Sequence, residues 1–171
     1  MDILELLKNR YSVRDFDESR EIKKEDLEKI LEAGRVAPTA KNTQSQRILV
    51  LQSEEAVAKA REITPSAYNA PTVLIICSDT DEAWKRTNDG WCSATLDSAI
   101  VTCHMMLEAA SLGIGSCWVC AFNAEKVRKA FDLPENIVPY SMLPLGYPST
   151  TCQPNPRHYE RFPIENSVKY L

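Results

Sequence analysis

Apolar residues recur along the chain with two different periods, and the changes of period mark its elements. Ile3, Leu6 and Leu7 share one side of a short first helix, which Asp2 can cap with Glu5 three residues on as a capping box; the helix gives out near Asn9. Residues 22–37 set Leu27, Ile30, Leu31 and Gly34 on one helical face, and Pro38 ends that helix. Ile48-Leu49-Val50-Leu51 is the heart of a strand over 47–51, followed by a short charged helix over 54–62. Thr72-Val73-Leu74-Ile75-Ile76-Cys77 is an unbroken apolar run, which predicts a strand buried on both faces.

The most apolar stretch comes after a turn at Asn88-Asp89-Gly90. Leu96, Ala99, Ile100, Cys103, Met106, Leu107 and Ala110 recur at helical spacing, and only Asp97, His104 and Glu108 interrupt the other side. A helix apolar all round is buried, here at the centre of the domain or in a subunit interface. Gly113 sits where a C′ glycine stops it. A strand over 116–119, a helix from the Asn123 cap to Phe131, and a strand over 140–145 closed by Gly146-Tyr147-Pro148 complete the pattern. The remaining segment, 149–171, is polar, with too few core residues to order without a partner. The expectation is one α+β domain over 1–171, with a sheet of four or five strands flanked by helices.

Composition narrows the function. The 171 residues carry 20 Lys and Arg against 24 Asp and Glu, a net charge of -4, which argues against nucleic-acid binding. No apolar run spans a bilayer and the N-terminus has no signal-peptide pattern, so no membrane role is expected and the location is cytoplasmic. Of the six cysteines, Cys77 and Cys103 lie in apolar periodic segments, as reduced structural thiols do.

Candidate chemistry is sparse. If Arg10-Tyr11-Ser12-Val13-Arg14 is extended, Arg10, Ser12 and Arg14 project to one face, two guanidinium forks and a hydroxyl; an ordinary solvated surface has the same composition. Arg157 and Arg161 form a second cationic pair, and two such clusters can clamp one phosphate. The loop over 38–46 carries amides and hydroxyls but no carboxylate, which suits a neutral hydrogen-bonding ligand. Gly113-Ile114-Gly115 follows a helix and lacks a third glycine, so it is no dinucleotide fingerprint. Cys117-Trp118-Val119-Cys120 has redox spacing but lies in a strand pattern, where neighbours alternate faces. His104 reads as a core histidine and His158 lies in the polar tail; two distant histidines do not make a metal site. With no nucleophile–base pair, the hard chemistry of an enzyme here would belong to a cofactor.

Taken together and in order, these pieces resemble the FMN-dependent nitroreductase family. The resemblance rests on Arg10-x-Ser12-x-Arg14-x-Phe16, Ala37-Pro38-Thr39-Ala40-x-Asn42-x-Gln44, Leu96-Asp97-Ser98-Ala99, Leu112-Gly113-Ile114-Gly115-Ser116-Cys117-Trp118, Pro144-Leu145-Gly146-Tyr147-Pro148 and Arg161. It implies a three-layer α/β/α fold with a central, mostly antiparallel sheet, and an intertwined homodimer whose tail, about 149–171, wraps onto the partner. It implies FMN as cofactor, NAD(P)H as co-substrate and a small-molecule electron acceptor such as a nitroaromatic or quinone, served in ping-pong order. Arg10 and Arg161 would hold the FMN phosphate with Ser12 beside it, and Arg14 the pyrimidine edge. Pro38, Thr39, Ala40 and Asn42 would come from the other subunit. Cys120 and Ala121 would donate a backbone hydrogen bond to flavin N5, and Leu145 and Gly146 would lie beside the cofactor. No side chain is implied as catalytic.

Two departures stand out. Ser45 replaces a proline, which predicts a less rigid loop. The chain is also short, without the segment that forms helices over the flavin in larger members. Alternatives are a specialised flavoenzyme of the same fold (oxidase, dehalogenase or flavin-destroying enzyme), a non-catalytic FMN-binding protein, and a CxxC thiol oxidoreductase.

Overall fold

The computed structural model describes residues 2–171. Four strands, β1 (Gln46–Leu51), β2 (Thr72–Asp79), β3 (Gly115–Ser116) and β4 (Ile137–Gly146), form one antiparallel sheet in the order β1-β2-β4-β3. Five α-helices, α1 (Ile3–Asn9), α2 (Lys24–Arg35), α3 (Glu54–Ile63), α4 (Ala94–Ser111) and α5 (Ala124–Ala130), accompany it.

The central strand explains the layering. All of β2 is buried, and its side chains alternate between two cores. Leu74 and Ile76 join Leu143 and Leu145 of β4 under α2 and α4; Val73, Ile75 and Cys77 join Met142 under α3 and α5. The unbroken apolar run therefore reflects two helical layers, one on each face, and the architecture is the expected α/β/α sandwich.

Three details differ from the expectation. The first concerns α4. The residues it buries are not the predicted stripe but Ala94, Asp97, Ser98, Val101, Thr102, Met105 and Ala109. Of the inward hydroxyls, Thr102 Oγ1 is bonded, donating to Ser98 O at 2.7 Å and lying 2.8 Å from Ser141 Oγ, while Ser98 Oγ is buried without a partner. A hydroxyl so paired costs little inside, so polarity did not mark the outer face. The predicted stripe is only partly covered, and Leu96 is 52% exposed.

The second is the strand over 116–119. It is a two-residue β3 plus an isolated bridge from Val119 to Met142. Pro144 accepts from Cys117 N–H at 3.2 Å but has no N–H to return, so the ladder breaks there. The third is the first helix: Asp2 is its N-cap by position, but its side chain makes no capping bond.

Other local signals appear as expected. Asn123 Oδ1 accepts from Lys126 N–H at 3.0 Å and caps α5. Gly113, at φ +73°, turns the chain out of α4, with Ile114 N–H returning to Ala109 O at 2.8 Å. Among the described residues, no helix is long and apolar enough to cross a membrane.

Candidate functional site

Arg10 is the C-cap of α1 and leaves the helix in an extended conformation. The chain then runs beside the sheet: Ser12 bridges Ser116, Val13 N–H donates to Ser116 O at 2.9 Å, and Phe16 bridges Pro148. Val13 is buried, which turns its neighbours Ser12 and Arg14 outward; Phe16, beyond the bend at Asp15, is buried too. This approach requires glycine at 115 and 146. A Cβ on Gly115 would meet Val13 Cγ2 at 2.7 Å, and one on Gly146 would meet Pro71 Cδ at 2.8 Å.

The outward face opens on a cleft of about 380 Å³ lined by Arg10, Tyr11, Ser12, Arg14, Asn155, Arg157, His158 and Arg161. Four guanidiniums and no carboxylate line it, so its chemistry suits an anion. Arg161 Nη1 donates to Glu160 O at 2.6 Å, and Asn155 Oδ1 accepts from Arg157 N–H at 3.0 Å. The Tyr11 and His158 rings meet edge to face at 6.3 Å. Arg10, Ser12, Arg14 and Arg161 thus come together from the two ends of the chain. Tyr11, Asn155 and His158 had not been singled out for this role. An Asn-Pro pair opening a turn one residue before a basic residue is the signal that marks Asn155.

Behind the cleft lies Cys117. Burial pushes its thiol up, against the opposing pull of the Arg14 charge and hydrogen bonds with Tyr68 and Ser12. Cys77 is pushed up to about 12 by burial alone. All six cysteines are free; Cys117 is buried while Cys120 is exposed. Neither Cys120 N–H nor Ala121 N–H finds a backbone acceptor within the chain among the described residues. Ala121 O accepts from Thr64 Oγ1 at 2.7 Å, which fixes the plane of the following peptide. Leu145 and Gly146 pair with Ser116 and Gly115. Through Ser116 they stand next to Ser12. His104 Nδ1 lies 2.9 Å from Ile100 O, a contact within its own helix.

Pro38, Thr39, Ala40 and Asn42 lie elsewhere. Their loop crosses the N-terminal end of α4, where Asp97 Oδ1 accepts from Ala40 N–H at 3.0 Å and Oδ2 from Ser93 Oγ at 2.7 Å. The arginine cleft adjoins the chain leaving the other end, Gly113 to Ser116, which shares Arg10 and Tyr11 with a neighbouring apolar groove. The 18 residues of α4 separate the two by about 27 Å. The loop is strained: Lys41, Asn42 and Gln44 all have φ between 51° and 56°. Thr43 Oγ1 and Gln46 Oε1 are buried without a partner. Ser45, expected to loosen the loop, instead anchors it, fully buried with its Oγ 2.8 Å from Ser78 Oγ. Sequence reasoning placed Asp97 in the helix-opening Leu96-Asp97-Ser98-Ala99 segment but gave it no role in holding this loop. Its signal was a carboxylate in the first turn of an otherwise apolar helix.

Among the described residues, no group of three or more His, Cys, Asp or Glu could hold a metal ion. The family model described as the Nitroreductase family matches residues 7–67 and 62–147. A crystal structure of a nitroreductase family protein from Clostridium difficile is 41% identical, with a TM-score of 0.93 over 99% of this chain and 98% of the other. A Methanothermobacter thermautotrophicus protein, provisionally named an NADH dehydrogenase/NAD(P)H nitroreductase, is 31% identical over 87% of this chain and 78% of its own length. A structure from Exiguobacterium sibiricum in complex with FMN shares the fold, with a TM-score of 0.84 at 20% identity over 100% of this chain and 98% of the other.

Proposed function

The chain belongs to the nitroreductase family, and from that premise we propose that it is a homodimeric, cytoplasmic FMN-dependent oxidoreductase that uses NAD(P)H to reduce small acceptors such as nitroaromatics or quinones. The observation that carries this reading is the carboxylate-free cleft in which Arg10, Ser12, Arg14 and Arg161 converge. Such a cradle fits the phosphate of a mononucleotide, and the residues present fit FMN.

FMN, held by Arg10, Ser12, Arg14 and Arg161, would supply two-electron hydride chemistry between NAD(P)H and an acceptor. The rest is the work of this chain. Arg10, Ser12 and Arg161 bind the phosphate. Arg14 lines the same cleft two residues after Ser12. Its role is to hold the pyrimidine edge and stabilise negative charge that grows on reduction. The Cys120 and Ala121 amides, free of backbone acceptors, offer the hydrogen bond to N5. Leu145 and Gly146 wall the site.

The separation of loop and cleft supports the dimer. One flavin cannot reach both ends of α4 within a chain, whereas a partner packed antiparallel on the half-covered Leu96 stripe brings its own 38–42 loop to this cleft. The tail supports it too: Phe162 and Tyr170 are almost fully exposed in the single chain, an apolar surface that asks for a partner.

The test is absorption spectroscopy of purified protein, followed by anaerobic stopped-flow mixing of the FMN-loaded form with NADH or NADPH. The expected result is a yellow protein that releases FMN on acid treatment and bleaches with NAD(P)H, then recovers its colour when an acceptor is added. Failure to bind FMN after incubation overturns the assignment. Binding without bleaching replaces the enzyme by a flavin-binding protein.

A further inference from the structure

Between β2 and α4 the chain makes an excursion that has no task in the reading above. Residues 84–93 double back as a short hairpin: Arg86 N–H donates to Trp91 O at 2.8 Å, Ser93 N–H donates to Trp84 O at 2.9 Å, and Lys85 bridges Cys92 between them. Gly90, at φ +71°, closes the turn, with its N–H on Arg86 O at 2.8 Å. We propose that one face of this hairpin is a wall on which a planar, uncharged aromatic acceptor stacks, and that Trp91 is the side chain it touches. Where the wall stands relative to the flavin rests on the dimeric reading above; the aromatic face itself does not.

Cross-strand pairing fixes which side chains share that face. Arg86 lies opposite Trp91 and Trp84 opposite Ser93, so these four project to one side and Lys85 and Cys92 to the other. The Trp84 and Trp91 rings meet edge to face with centroids 6.3 Å apart, and the Arg86 guanidinium lies 5.2 Å from the Trp91 ring. Asp89 accepts from Arg86 Nε at 2.8 Å and Nη2 at 2.7 Å, and from Trp91 N–H at 3.1 Å. Trp91 is thus braced by two neighbours yet remains 41% exposed. Ordering a side chain weakens binding, and here the indole is ordered before any ligand arrives. The Asp89 carboxylate offsets the Arg86 charge, so the face offers aromatic surface without net charge. An anion is drawn to the arginine cleft; a flat neutral ring gains from stacking on this face.

Ser93 ties the same face to the 38–42 loop. Its Oγ donates to Asp97 Oδ2 at 2.7 Å, while Ala40 N–H donates to Asp97 Oδ1 at 3.0 Å. One carboxylate, only 2% exposed, therefore joins the base of the hairpin to the loop. Wherever the loop is delivered, the hairpin goes with it. In the dimer read above, the loop that reaches the partner's cleft carries Trp91 to the flavin as well. The arginines take the phosphate at one end of the cofactor, and Trp91 stands at the neutral end, where an acceptor ring enters.

Two measurements test this on the full-length protein, with 4-nitrobenzyl alcohol as a neutral aromatic probe. The first follows the indole N–H signals of oxidised, FMN-loaded protein labelled with nitrogen-15 tryptophan, the Trp91 signal being the one lost in Trp91→Phe. That signal should shift saturably with the probe and stay in place with cyclohexylmethanol, which cannot stack. No shift, or equal shifts from both alcohols, overturns the proposal. The second is steady-state NAD(P)H oxidation with the probe or with ferricyanide, an inorganic acceptor. In Trp91→Ala the ratio of kcat/KM for the probe to that for ferricyanide should fall about tenfold, and Trp91→Phe should recover most of the loss. Equal losses with both acceptors mark a merely structural role and sink the idea. An unchanged ratio with a weakened dimer in sedimentation makes Trp91 a subunit contact instead. If the protein holds no flavin but the probe still shifts the Trp91 signal, the aromatic wall stands and the flavin assignment falls.

Discussion

The two ends of α4 solve opposite problems. At its C-terminal end the arginine cleft is open, rich in charge and built on unstrained backbone. At its N-terminal end the 38–45 loop carries one cation, Lys41, and is strained, with three non-glycine residues at positive φ and a buried carboxylate beneath it. Exposed guanidiniums keep their hydration and need no internal partner, so the cleft is cheap to display and asks little of the fold. Left-handed backbone costs on the order of 1 kcal/mol per residue and persists only where surrounding contacts over-determine it. Asp97 and Ser45 are those contacts. The lesson is that a ligand's charge can be met from the surface, whereas a shaped backbone must be held from the core.

That contrast is open to attack at both ends. The largest stability effect is expected from Asp97→Ala, which leaves Ala40 N–H and Ser93 Oγ without their acceptor. Urea unfolding should show a loss of about 2–3 kcal/mol, in the range for orphaned buried groups. A variant as stable as the parent would mean that the loop holds itself.

Arg161→Ala should behave in the opposite way. Stability should stay within about 0.5 kcal/mol, as for exposed positions. FMN affinity should weaken by about 1.5–3 kcal/mol, the worth of one charge-assisted bond, with turnover largely recovered at saturating FMN. Comparing thermal unfolding of the flavin-free forms with fluorescence titration of FMN separates the two quantities.

Lys41→Gly probes strain directly. Relief at φ 51° is partly cancelled by the greater freedom of glycine in the unfolded chain, so a net gain of about 0.5–1 kcal/mol is expected. A loss would show that the lysine side chain, not the backbone, matters there.

The smallest effect concerns pH at the cleft end. The Ser149 hydroxyl, then Asn69 and Thr151, hold the Asp15 carboxyl below its usual range. A depressed folded-state pKa gives stability that is present above the unfolded value and is lost as pH falls through the folded one. Exchange of residues 149–152 should therefore rise below about pH 4, the ordinary aspartate range, and Asp15→Asn should remove that acid dependence.

Much of this was legible in the residues. The unbroken 72–77 run announced a strand covered on both sides, because only a two-sided core tolerates so many consecutive apolar groups. Asn123 and Gly113 marked helix ends, since capping is local chemistry between neighbours. Side-chain type alone made Arg10, Ser12, Arg14, Arg157 and Arg161 candidates for a phosphate clamp, with an ordinary solvated surface equally open, and the fold brings them to one cleft. Tertiary structure decided what depends on distant partners. It chose the face of α4 turned inward, because Ser141 and Ala40 satisfy groups that periodicity counts as polar. It cut the 116–119 strand short, because Pro144 of another strand lacks the N–H that the ladder needs. It placed the 38–42 loop and the arginine cleft at opposite ends of one helix, and it added Tyr11, Asn155 and His158 to the cleft. Periodicity and composition record what each residue prefers next to its neighbours; which far segment meets those preferences is settled only when the chain closes on itself.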